Sequence, residues 1–97
     1  VQNRIDRPKD VSFAIDEVRR VQASEPLLDQ VDLTKVAVAG HSFGAYTALA
    51  VVGQTFEEAG RTYSFRDRRV RCAVAMSSQG PGTIGLTDGS WDAVRVP

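Results

Sequence analysis

The sequence predicts an α/β fold: a helix, then a strand, a sharp turn, a second helix and a strand parallel to the first. Three observations carry this. Two short runs, Lys35–Ala39 and Val70–Ala75, are apolar with almost no alternation, as strands read when a parallel sheet is covered on both faces. Between them Ala45, Leu49 and Val52 fall on one helical face, with Ala48 and Val51 alongside. Ahead of both, Val11, Ile15 and Val18 recur at helical spacing. Strand, helix and strand in that order make a βαβ unit, with parallel strands and a right-handed crossover.

Each element has its own signals. The first helix is expected over Pro8 to about Ala23, with Asp6 as its cap and Pro8 in the first turn, where a missing N–H costs nothing. Arg19 and Arg20 suit the negative end of its dipole. Glu25-Pro26 breaks the pattern, and Pro26–Thr34 reads as a loop. The second helix is expected from Phe43 to about Val52, with Gly53 as its stop. Gln54–Arg69 reads as a polar, irregular surface excursion, and Ser77–Pro97 as loop, spaced by Gly80, Pro81, Gly82, Gly85 and Gly89. Two buried-type strands need neighbours that the rest of the sequence does not supply. The chain is therefore expected to be part of a larger sheet, its free strand edges prone to self-association.

Composition excludes several functions. The 97 residues carry twelve basic and twelve acidic side chains, so no net field draws nucleic acid or an anionic surface. The cluster Arg66, Arg68, Arg69 and Arg71 reads as a solvated loop before a strand. One cysteine, Cys72, and one histidine, His41, rule out a disulfide framework and a Cys- or His-based metal site. Cys72 lies in an apolar run, where a buried thiol is the plain expectation. No apolar stretch approaches the roughly 20 residues of a membrane span. No metal or cofactor is implied, and nothing in the sequence specifies a compartment.

The chemistry is carried by Gly40-His41-Ser42-Phe43-Gly44, which lies between the first strand and the second helix. That pattern is a nucleophile elbow, a strained strand-to-helix turn that exposes a serine hydroxyl above the carboxyl end of a sheet. Gly40 and Gly44 are expected to approach so closely that neither can carry a Cβ. Ser42 would be the nucleophile, and the Phe43 N–H, at a helix N-terminus, one donor of an oxyanion hole. The apolar strand before the motif and the small-residue helix after it give it specificity. A phosphate-cradling turn needs Gly-x-Gly-x-x-Gly or Gly-Lys-Ser/Thr, and neither is present. His41 neighbours Ser42, but consecutive side chains at a strand end point apart, so it is expected beside the elbow and not as its base.

With Arg7-Pro8-Lys9-Asp10, Val36–Gly44 and Val70–Gly82 as matching segments, the chain resembles the α/β-hydrolase superfamily. Within it, the likeness is to the dienelactone hydrolase and platelet-activating-factor acetylhydrolase-like branch. The resemblance implies a partial α/β-hydrolase fold, with residues 1–97 as the central segment of a single domain, incomplete at both ends. It also implies a triad in the order Ser, acid, His, with the acid and histidine outside this segment and the second oxyanion donor upstream of it. Asp88 and Asp92 read as turn and cap residues and not as the acid. Gln79 and Trp91 are candidates for substrate contact. The expected activity is hydrolysis of a small-molecule carboxylic ester through an acyl-enzyme, with the isolated segment nearly inactive. The residues alone leave open a non-catalytic fragment with a relic elbow, or an acyltransferase or thioesterase on the same scaffold.

Overall fold

A computed structural model describes all 97 residues. Helix α1 spans Gln2–Gln22, strand β1 Val36–His41, helix α2 Phe43–Val51, strands β2 and β3 Phe56–Glu58 and Arg61–Tyr63, and strand β4 Val70–Met76. Short 3₁₀ turns lie at Pro26–Leu28, capped by the Glu25 carboxylate, and at Asp88–Trp91. No helix is long and apolar enough to cross a membrane.

β1 and β4 pair in parallel, from Val36 beside Val70 to His41 beside Met76, with a bulge after Val36. The βαβ unit read from the sequence is present. α2 lies over both strands, and Ile15 of α1 joins Val51, Val52 and Val70 in an aliphatic core that takes in Val36, Val38 and Ala73.

Only that face is covered. Along β1 burial alternates, with Ala37, Ala39 and His41 exposed, and on β4 Val74 is 55% and Met76 50% exposed. The expectation of strands covered on both faces is therefore corrected for this chain. Cys72 pairs with Ala37 on the bare side and is half-buried, not buried. On the edge of β4 away from β1, the Ala73 N–H donates to the Pro97 carbonyl at 3.0 Å.

α1 begins six residues before Pro8, so Asp6 is not its cap; the Asp6 carboxylate accepts instead from Gln2 Nε2 at 2.8 Å. Pro8 sits inside the helix, where its missing N–H leaves the Arg4 carbonyl without its usual donor. The buried Tyr46 hydroxyl of α2 donates to that carbonyl at 2.7 Å. A tertiary hydrogen bond thus substitutes for the helical one, and the helix continues through a proline.

The excursion 54–69 is ordered by an antiparallel hairpin, β2–β3, with Phe56 opposite Tyr63. Its arginines are not all solvated. Arg69 bridges Asp67 at 2.7 Å and Asp16 of α1 at 2.6 Å, tying the approach to β4 onto α1. Arg66, Arg68 and Arg71 remain exposed. Within 77–97, Thr87 and Ser90 cap each other around the 3₁₀ turn; Asp88 lies in that turn and Asp92 ends it.

Candidate active site

β1 ends at His41 and delivers the chain directly into a sharp turn at Ser42, the N-cap of α2. Ser42 adopts φ 57°, ψ −116°, a left-handed conformation that costs a non-glycine residue about 1–3 kcal/mol. Its surroundings hold it there. The Ser42 N–H donates to Met76 of β4 at 2.9 Å, and its carbonyl accepts from Ala45 at 3.0 Å and Tyr46 at 3.3 Å. The hydroxyl is left exposed, with no hydrogen bond to the protein. Strand pairing and the first helical turn thus occupy the backbone of Ser42 and leave its side chain free.

The two glycines contribute unequally. A Cβ on Gly40 would overlap the Gly44 carbonyl, so the crossing of β1 over α2 requires a glycine there. A Cβ on Gly44 would meet nothing within 4 Å. The sequence reading of a mutual clash is corrected: the close approach is from the Gly40 side chain position to the Gly44 backbone, and Gly44 itself faces an open groove. That groove is lined by Arg7, Asp10, Val38, Ala39 and Thr47 as well.

Phe43 is the first residue of α2, so its N–H has no partner one turn back in the helix. This free donor lies next to Ser42 at the positive end of the helix dipole. The Phe43 ring packs 5.3 Å from the Tyr46 ring, and the Arg7 guanidinium stands over it at 4.9 Å. Burial pushes the Tyr46 phenol well above its ordinary range, with nearby Arg4 opposing, so it stays a neutral donor to the Arg4 carbonyl.

His41 is exposed on the bare side of the sheet, and no hydrogen bond joins it to Ser42. Gln79 follows the carboxyl end of β4, the end at which Ser42 emerges from β1; its Oε1 is buried without a partner. Trp91 lies on the 3₁₀ turn Asp88–Trp91. It packs against the cluster of Tyr46, Ala50, Phe56 and Leu86, on a turn whose Ser90 carbonyl takes the Thr55 N–H beyond the C-terminal end of α2. No group of three or more His, Cys, Asp or Glu side chains comes together in the chain.

The contacts of Arg4 and Arg7 with Tyr46 and Phe43 escaped the sequence reading. A signal was present: a proline in a helix frees the carbonyl four residues back, and Tyr46 shares a helix face with Phe43 three residues earlier.

No curated protein and no solved structure matches the chain. A family model does, that of platelet-activating factor acetylhydrolase, isoform II, over residues 8–78. The matched range runs from Pro8 through the elbow, α2 and the hairpin to just past β4, and it stops one residue before Gln79. Covering most of the 97 residues and the whole βαβ unit, the match settles the relationship: the chain belongs to the platelet-activating factor acetylhydrolase, isoform II family, hydrolases of the α/β-hydrolase type.

Proposed function

We propose that Ser42 is the nucleophile of a serine esterase acting on small-molecule carboxylic esters. The observation that carries this is the backbone of Ser42, held left-handed between β1 and α2 with its hydroxyl exposed. The Ser42 Oγ attacks the ester carbonyl carbon while its proton passes to a histidine supplied by another part of the protein. The carbonyl electron pair moves onto oxygen, and that oxyanion accepts from the Phe43 N–H. Collapse of the tetrahedral species expels the alcohol, which takes the proton back from the histidine. Water, deprotonated by the same histidine, then releases the acid and restores Ser42. Gln79 is assigned to substrate contact because a buried, unpaired amide oxygen follows the strand end beside Ser42. Trp91 packs against the same cluster of Tyr46, Ala50, Phe56 and Leu86 as Phe43, and is kept as a second candidate for substrate contact.

Residues 1–97 are read as the central segment of a larger α/β-hydrolase domain. The bare sheet face, with Val74 and Met76 half-exposed, and the unpaired edge of β1 support this. On this reading the segment alone is nearly inactive and self-associates through its strand edges. In the full-length protein, Ser42→Ala should lower kcat for a short-chain p-nitrophenyl ester by about 10⁴-fold or more, with folding intact. An unchanged kcat in that variant would exclude Ser42 as the nucleophile.

A further inference from the structure

Side-chain contacts tie the start of α2, Phe43 with its N-cap Ser42, to α1. Two stand out. The Tyr46 hydroxyl donates to the Arg4 carbonyl that Pro8 leaves free, and the Arg7 guanidinium lies over the Phe43 ring at 4.9 Å. Arg4 and Arg7 are three residues apart on α1, and Phe43 and Tyr46 three apart on α2, so the two pairs meet across the helix interface. The Phe43 ring therefore contacts both Arg7 and Tyr46, its centroid 5.3 Å from that of Tyr46. Arg7 forms no ion pair and donates no hydrogen bond within the chain. Arg4 and Arg69, by contrast, spend their guanidinium groups on carboxylates and carbonyls. The stack on Phe43 is what Arg7 contributes.

We propose that Arg7 is a positioning residue for the Phe43 N–H, acting through the Phe43 ring; this rests on the assignment of Ser42 and Phe43 made above. The direction of that N–H is set by the peptide plane between Ser42 and Phe43, and Ser42 occupies a conformation that persists only where its surroundings over-determine it. The Phe43 side chain is a lever on the same plane. A cation over its face attracts the ring quadrupole and resists its rotation away from α1. Hydrogen bonds weaken steeply as their angle departs from linear, so a small turn of the donor removes much of its value to an oxyanion. Arg7 needs no contact with substrate to do this.

The test uses the full-length protein with Arg7→Met, Arg7→Lys, Phe43→Leu and the double variant Arg7→Met/Phe43→Leu. Three quantities are read: the rate constant for phosphonylation by a fluorophosphonate, kcat and KM for a p-nitrophenyl ester, and Tm. Arg7→Met should lower kcat and the phosphonylation rate about tenfold, short of the 10²–10³ lost when an oxyanion donor is removed. KM should stay within about twofold, because the loss falls on the transition state. Arg7→Lys, which keeps a cation over the ring, should recover most of the rate. In the Phe43→Leu background, which retains the N–H but not the ring, Arg7→Met should have no further effect. Wild-type kcat in Arg7→Met would overturn the proposal, as would an undiminished effect in the Phe43→Leu background. A fall in rate that tracks Tm and is not rescued by lysine would reduce Arg7 to a structural role and overturn it too. Phosphonylation that persists in Ser42→Ala would instead overturn the nucleophile assignment, which separates the two failures.

Discussion

α2 joins two apolar clusters that are built differently. Toward the sheet lie Ile15, Val51, Val52 and Val70, aliphatic side chains from two helices and a strand. On its other side lie Tyr46, Ala50, Phe56 and Leu86, extended by Tyr63, Phe65 and Trp91. The aliphatic cluster needs only regular elements facing one another. The aromatic cluster needs directional contacts: the Phe56 and Tyr63 rings stack 4.7 Å apart with planes 9° from parallel, and Arg4 stands 4.7 Å over Phe56. Arg4 also pairs with Glu58 at 3.1 Å and donates to the Ile84 carbonyl, so one buried side chain clamps α1, the hairpin and the loop after β4. The elbow sits where the two constructions meet, since Tyr46 belongs to the aromatic cluster and its backbone N–H closes on Ser42.

If the two clusters are separate supports, damage to one should leave the other standing. The largest effect is expected from Phe56→Ala, at about 3–5 kcal/mol of stability in the full-length protein, measured by denaturant unfolding. Amide exchange should rise across Phe56–Tyr63 while Val36–His41 stays protected. Equal loss of protection in β1 would mean that the clusters form a single core.

Tyr46→Phe should cost less, about 1–3 kcal/mol, because it strands the Arg4 carbonyl that Pro8 has already deprived of a helical donor. The account is sharpened by Pro8→Ala, which restores that helical N–H. In the Pro8→Ala background the penalty of Tyr46→Phe should shrink. An unchanged penalty would show that the hydroxyl matters for some other reason.

The smallest effect concerns acid. Hydrogen bonds from Arg69 hold the Asp67 carboxyl well below the usual carboxylate range, with burial opposing. In the unfolded chain the group returns to about 3.9, so between the two values the unfolded state binds more protons. The contribution is therefore complete above that value and is lost as pH falls toward the folded one. Asp67→Asn should flatten the decline in stability between about pH 5 and pH 3. An identical acid limb in the variant would remove Asp67 from the account.

The same contrast explains what was legible in the sequence. β1, α2 and β4 were readable because apolar runs and helical spacing are local signals, and the glycine at position 40 because the close turn between β1 and α2 has a steric reason for it. The hairpin was not. Its strands are three residues each, too short for alternation to register, and its turn is Ala59-Gly60 with φ 50° and 76°. Two positive φ values match the turn that suits tight hairpins, but alanine occupies a position where asparagine or glycine would have announced it. The start of α1 was misplaced for a related reason. Proline favours a first turn, and only the long-range bond from Tyr46 lets the helix run through Pro8. The exposed side of the sheet misled in the opposite sense: Ala37, Ala39 and Val74 read as buried, yet this chain leaves them bare.

The central claim is that the elbow presents Ser42 as the nucleophile, and mapping the covalent adduct tests it most directly. After treatment of the full-length protein with a fluorophosphonate, peptide mass spectrometry should find one phosphonyl group, on Ser42, and none in Ser42→Ala. An adduct on another residue, or one that survives in Ser42→Ala, would contradict the account.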